Sequence, residues 1–288
     1  MKHPAGIALQ AASIRTKKTL QVAFSFFFLT ILIPSLCAGT TIRVLDSEGN
    51  VGWEPSIAIN WDGSPVVSYA TRQAVGGFVL LKVAFCDDAD CEFPILTTVD
   101  RSTNAIEMTS IAIDNDGLPV ISYRDQNTGL KVAKCNNKLS DCVEGKEGAW
   151  TITQVPLSNQ GIYSSIAVGH DGLPVISYQT YTSLRVLKCG NASCTSGNVD
   201  TLLHNYQHPG YTAIAIGNDD LPVIAHIWYQ LDVVKCGNAA CTSGNSFTQD
   251  LEPAVTGLEL DIAIGTDGIP VISYYGEQTT DLRVAQVP

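Results

Sequence analysis

"DNDGLPVISY" occupies residues 114–123. The same phrase returns as "NWDGSPVVSY" (60–69), "GHDGLPVISY" (169–178), "GNDDLPVIAH" (217–226) and "GTDGIPVISY" (265–274). Its prolines, Pro65, Pro119, Pro174, Pro222 and Pro270, are spaced 54, 55, 48 and 48 residues apart. A period of that length marks a repeat architecture. Each repeat contains four short runs. The first is "SIAI" (56–59 and 110–113), "SIAV" (165–168), "AIAI" (213–216) or "DIAI" (261–264), and the second begins at the proline. The third is "LLKVAFC" (80–86), "GLKVAKC" (129–135), "SLRVLKC" (183–189), "LDVVKC" (231–236) or "DLRVAQV" (281–287). The fourth varies more: "PILTTV" (94–99), "WTITQV" (150–155), "VDTLLH" (199–204) and "SFTQDL" (246–251). Richness in Val, Ile, Thr and Tyr predicts strands throughout, and no stretch after the amino-terminal apolar run keeps a helical period.

Asp-Gly between the first two runs predicts a two-residue hairpin turn with positive φ at both positions. It stands at Asp62-Gly63, Asp116-Gly117, Asp171-Gly172 and Asp267-Gly268, and Asp219-Asp220 in the fourth repeat predicts a strained variant. Proline at the start of the following strand costs no ladder bond. Four-stranded antiparallel units at this period resemble the blades of five-bladed β-propellers and, more loosely, sialidase-like and lectin-like propeller repeats. The fold class expected is therefore all-β. The blades fall at about 51–101, 105–156, 160–206, 209–252 and 256–288, the last completed by "TIRVLD" (41–46), which would close the ring and leave no free edge. The sialidase Asp-box, S-x-D-x-G-x-x-W, is missing, and no arginine triad can be assigned.

Nine cysteines occur. Eight form close pairs, one in each of four repeats: Cys86/Cys91, Cys135/Cys142, Cys189/Cys194 and Cys236/Cys241. One pair per repeat, without histidines at fixed offset, predicts disulfides rather than zinc. Residues 1–39 read as a secretory leader: Lys17 and Lys18, then an apolar run, then "CAG". An uncleaved anchor is the rival reading, though Gln21, Ser25, Thr30 and Pro34 interrupt the run. The remainder, 40–288, carries 13 basic and 28 acidic residues, a net charge of −15. Such acidity disfavours nucleic acid and anionic membranes. A secreted, extracellular or periplasmic monomer is expected, without cofactor or metal.

In a propeller the loops opposite the Asp-Gly turns vary most and carry function. There the sequence places Trp53, Arg72, Arg124, Asp125, Tyr163, Tyr211, His226, Trp228 and Tyr275 as candidate ligand contacts. Aromatic rings with charged groups suit sugars, because rings stack on apolar pyranose faces while polar groups fix hydroxyls. The reading preferred from sequence is a non-enzymatic binding module for a glycan or an extracellular protein. One alternative is a glycoside hydrolase using Glu54, Glu107 and Asp261, with Glu259 nearby. That expectation follows from where five-bladed glycosidases carry their carboxylates. A structural repeat without a small-molecule site is the other alternative. His204, His208 and His226 match no known metal spacing, and "DNDG" (114–117) is explained by its turn rather than by calcium. Asn191-Ala192-Ser193 forms a glycosylation sequon inside a disulfide loop.

Overall fold

The computed structural model describes residues 42–72, 77–156, 161–206, 210–227, 229–253, 259–276 and 280–287. The expected leader, 1–39, and His208, Trp228 and Glu277 lie outside the described residues. The first sheet is built of β1 (Trp53–Ile59), β2 (Pro65–Ala70), β3 (Val79–Phe85) and β4 (Ile95–Ser102). The second holds β5 (Ile106–Ile113), β6 (Pro119–Asp125), β7 (Gly129–Cys135) and β8 (Trp150–Gln154). The third holds β9 (Ile162–Val168), β10 (Pro174–Gln179), β11 (Ser183–Lys188) and β12 (Val199–Asn205). The fourth holds β13 (Tyr211–Ile216), β14 (Pro222–Ile227), β15 (Gln230–Lys235) and β16 (Ser246–Pro253). The fifth has three strands, β17 (Leu260–Ile264), β18 (Pro270–Gly276) and β19 (Asp281–Gln286). All pair antiparallel in chain order, and the first strands β1, β5, β9, β13 and β17 neighbour one another in that sequence. This is a propeller-repeat protein.

The second strands β6, β10 and β14 are buried on both faces, and four apolar clusters fill the joints between neighbouring sheets. One joins Leu81, Val83 and Phe85 of the first sheet to Ile111, Ile121 and Tyr123 of the second. Equivalent residues join the second to the third, the third to the fourth and the fourth to the fifth. Polar links repeat as well. The Ser56 hydroxyl accepts the Ile111 N–H at 3.1 Å, Ser110 accepts from Ile166 and Ser165 from Ile214. Disulfides join Cys86–Cys91, Cys135–Cys142, Cys189–Cys194 and Cys236–Cys241, each tying the turn between third and fourth strands. The second of these loops contains a five-residue helix, α1 (Leu139–Val143).

One expectation is corrected in the turns, and closure of the ring is not shown. The Asp-Gly turn has one left-handed residue, not two. Gly63 sits at φ 87 and donates to Asn60 O, while Asn60 N–H donates to Ser64 O, so the loop is longer than two residues. Aspartate is there for its side chain: Oδ1 of Asp62, Asp171, Asp219 and Asp267 accepts the N–H two residues on. Asp220 takes the glycine's place at φ 65, which is the strained variant. In the fifth sheet, pairing of 41–46 with β19 is not formed among the described residues: 42–47 carries no strand, and β19 is an edge.

Candidate active site

Five residues stand eleven positions before the repeat's proline: Glu54, Met108, Tyr163, Tyr211 and Glu259. Together they line a cavity of about 420 Å³ at the starting ends of the first strands, away from the Asp-Gly turns. Three of the five are held left-handed, with φ 51 at Glu54, 56 at Met108 and 54 at Tyr163. The ladders shift register at the same points, between Trp53 and Ser56, between Glu107 and Ser110, and opposite Ser177–Gln179. Bulges of this kind turn a side chain away from its pleat. A non-glycine residue held there costs of order 1–2 kcal/mol, strain that collects at functional sites. Behind the ring, hydroxyls lock the strands. Thr109 Oγ1 donates to Glu54 O at 2.7 Å, and Ser164 Oγ donates to Met108 O at 3.4 Å.

Burial pushes the Glu54 carboxyl above the ordinary glutamate range; Glu107 and Glu259 add to the rise and Arg72 opposes it. The rings of Tyr163 and Tyr211 lie 4.0 Å apart at 31°. The Tyr211 phenol is pushed up to about 12 by burial, with Tyr163, Glu259 and Glu54 contributing. Acid and aromatic groups thus share one cavity, a combination able to grip a sugar ring and to handle a proton at its glycosidic oxygen.

The other candidates lie around this centre. Trp53 donates from Nε1 to Asn50 Oδ1 at 2.6 Å, and the Arg72 guanidinium lies 3.6 Å above its ring. Glu107 accepts from Arg124 Nη1 at 2.8 Å and from Gln126 Nε2 at 2.7 Å. Asp125 is buried against Lys131 at 3.0 Å. Tyr275 and Asp261 line a separate cavity with Glu259 and Leu282. Asp261 stands in the register of Ser56, Ser110 and Ser165, the residues that accept a neighbouring strand's N–H. His226 is fully buried beside Tyr206, whose hydroxyl lies 3.2 Å from Nδ1, with Asp232 at 4.0 Å. Burial and His204 push it down to about 3, so it is neutral. Among the described residues no group of three or more His, Cys, Asp or Glu is arranged to hold a metal. The Asn191 amide is engaged with Thr195 Oγ1 and Ser196, and Asn238, which has no sequon, makes the same bonds. Met108 and the hydroxyls Thr109, Ser164 and Thr212 were not singled out in the sequence. Counting back eleven residues from each proline finds the first, and the hydroxyls follow it directly.

No protein-family model matches the chain, and no curated protein matches it. Solved structures do. A GH93 α-L-arabinofuranosidase of Fusarium graminearum in complex with arabinobiose is similar over 86% of this chain and 80% of its own, at TM-score 0.60 and 9% identity. A protein of unknown function from Dyadobacter fermentans is similar over 85% and 81%, at TM-score 0.58 and 10% identity. A GH43 β-xylosidase/α-arabinofuranosidase from a compost microbial metagenome, in complex with xylotriose, is similar over 87% and 94%, at TM-score 0.48 and 9% identity. At such identity the likeness shows the fold. The expectation of a non-catalytic binding module is corrected here: the neighbours of TM-score 0.57 and above with a stated activity are GH93 α-L-arabinofuranosidases, which favours the glycoside hydrolase alternative.

Proposed function

We propose that the chain is a glycoside hydrolase acting at the mouth lined by Glu54 and Glu259. The observation that carries this reading is the sharing of one cavity by two carboxylates, Glu54 and Glu259, with the Glu54 carboxyl raised by desolvation and by the neighbouring Glu107 and Glu259. A raised carboxyl is what a general acid needs, and an ionised partner serves as base or nucleophile. Glu54 then protonates the leaving oxygen, Glu259 acts from the opposite side, and Tyr163 with Tyr211 stacks on the sugar. The activity of the Fusarium neighbour makes arabinofuranosides the first substrates to try. Release of nitrophenol from aryl glycosides, with arabino- and xylo-oligosaccharides alongside, tests the reading. Glu54→Gln and Glu259→Gln should each abolish turnover, and activity surviving both changes would overturn it.

The site depends on ring closure, because Glu54 belongs to the first sheet and Glu259 to the fifth. Our reading is that 41–46 forms the outermost strand of the fifth blade in solution. Asp46 already sits as a fourth-strand residue does. It accepts the Tyr69 hydroxyl at 2.7 Å and pairs with Lys82, just as Asp100 of β4 accepts from Tyr123 and, at 2.9 Å, from Lys131. Ile57 is 62% exposed where its equivalents Ile111, Ile166 and Ile214 are each 6% exposed. Leu282 and Val284 are 80% and 63% exposed where Leu81 and Val83 are 0%. Burying each of these side chains is worth about 1.5–3 kcal/mol, so the two faces are driven together. In the closed ring Asp261 would accept the Ile57 N–H, as the serines do elsewhere. The mature protein is proposed to be a secreted monomer of residues 40–288 released from the leader 1–39. The four disulfides are consistent with an extracellular protein, and among the described residues no helix is long and apolar enough to cross a membrane.

A further inference from the structure

Beside the central cavity, between the first and second sheets, lies a smaller one of about 110 Å³. Its lining includes Trp53, Glu54, Arg72 and Glu107, and Glu54 lines both cavities, so the two adjoin. Asn50 builds its floor twice over. The side-chain oxygen takes the Trp53 indole N–H at 2.6 Å, and the backbone oxygen takes the Arg72 N–H at 2.9 Å. The Arg72 guanidinium carbon lies 3.6 Å from the centre of the indole ring, over its face. Stacking uses the face of a guanidinium and leaves its N–H groups, which lie in the plane, free to fork a planar anion.

Charge makes this arginine unusual. Acids outnumber bases about two to one in residues 40–288, and the basic side chains packed on the blades are in ion pairs, for example Lys82–Asp46, Lys131–Asp100, Lys134–Asp114 and Lys188–Asp171. Among the described residues no carboxylate forms an ion pair with Arg72. The neighbouring Glu107 is already committed to Arg124 and Gln126. With Glu107 paired to Arg124, Arg72 and Glu54 are the remaining charged side chains of the lining. Only the first repeat supplies a cation here. Seven residues after the proline the other repeats have Gln126, Tyr181, Tyr229 and Glu277.

We propose that this cavity is a subsite for a carboxylated sugar, a uronic acid residue, whose carboxylate is forked by Arg72 and whose ring lies against Trp53. The proposal rests on the hydrolase reading of the adjoining cavity and names its substrate class. Calorimetry on the otherwise intact Glu259→Gln protein would compare a xylo-oligosaccharide bearing a glucuronic acid branch, its unbranched neutral counterpart and free glucuronic acid. The branched ligand should bind roughly tenfold or more tightly than the neutral one, as one charge-assisted fork allows. Arg72→Gln should erase the difference between the branched and the neutral ligand, and Arg72→Lys should restore only part of it. Free glucuronic acid should bind weakly but with the same dependence on Arg72. Equal affinity for branched and neutral ligands, or a preference that survives Arg72→Gln, overturns the proposal. Turnover separates it from the reading it rests on: cleavage of branched and neutral substrates at the same rate, both unaffected by Arg72→Gln, sinks the subsite alone. Arg72-dependent binding without any turnover sinks the hydrolase alone.

Discussion

The joint between the first and second sheets and the seam between the fifth and first are written in nearly the same residues, yet they are in opposite states. At the joint, Ile111 is covered by Leu81 and Val83, and Asp100 reaches across to Tyr123 and Lys131. Across the seam, Ile57 and the pair Leu282 and Val284 face water, while Asp46 has already made the matching contact with Tyr69 and Lys82. The contrast teaches that the repeat specifies each contact locally, whereas burial requires the two ends to arrive at the same place. It also puts the candidate carboxylates Glu54 and Glu259 on either side of that seam.

The strongest way to break the comparison is at the carboxylates. Glu54→Gln should lower kcat by about 10²–10⁴-fold, and the limb of the pH–rate profile that reports Glu54 should lie above pH 4.5, since burial raises its carboxyl from that value. Next comes packing. Ile111→Ala should cost about 2–5 kcal/mol in denaturant unfolding. Ile57→Ala should cost a similar amount if the ring closes in solution and almost nothing if the seam stays open. Asp100→Ala and Asp46→Ala make the polar version of that test, each costing about 1–3 kcal/mol if both span a closed interface. A cost confined to Asp100→Ala would show the amino-terminal segment to be free.

Acid sharpens another joint. His226 is buried and neutral between Tyr206, His204 and Asp232, with its folded value pushed down to about 3 from 6.5. A depressed folded value means stability that is complete above pH 6.5 and lost as pH falls toward 3. By pH 4.5 the loss should be on the order of 2 kcal/mol. His226→Tyr, which restores the repeat's residue, should flatten the melting-temperature profile between pH 7 and pH 4.5. The smallest expected effect is Arg124→Gln. Its pair with Glu107 is partly exposed, so stability should change by less than about 1 kcal/mol.

The fold was largely legible because its signals are local. The Pro65-to-Pro270 period, the Val/Ile-rich runs and the four cysteine pairs each need only a few neighbouring residues to act, and the structure repeats them sheet by sheet. The turn was read in the right place but with the wrong backbone, because Asp62 works through its side chain rather than through positive φ. The site was legible in part. Glu54, Tyr163 and Tyr211 line one cavity, Glu107 is held by Arg124, and Asp261 stands in a serine's register. Met108 went unnoticed because a thioether carries no chemical signal on its own. His226 looked like a loop residue until burial placed it in a core.

Sequence by itself determined the number of repeats, the strand order within each, the disulfide partners and the acidic surface, since periodicity and short-range spacing act within one sheet. Only the tertiary structure decided which side chains share the mouth, which arginine stays unpaired above Trp53 and which apolar faces are still uncovered. Those outcomes depend on how five sheets converge, and on bulges that turn Glu54, Met108 and Tyr163 inward. No spacing along the chain encodes the distance between one sheet and the next.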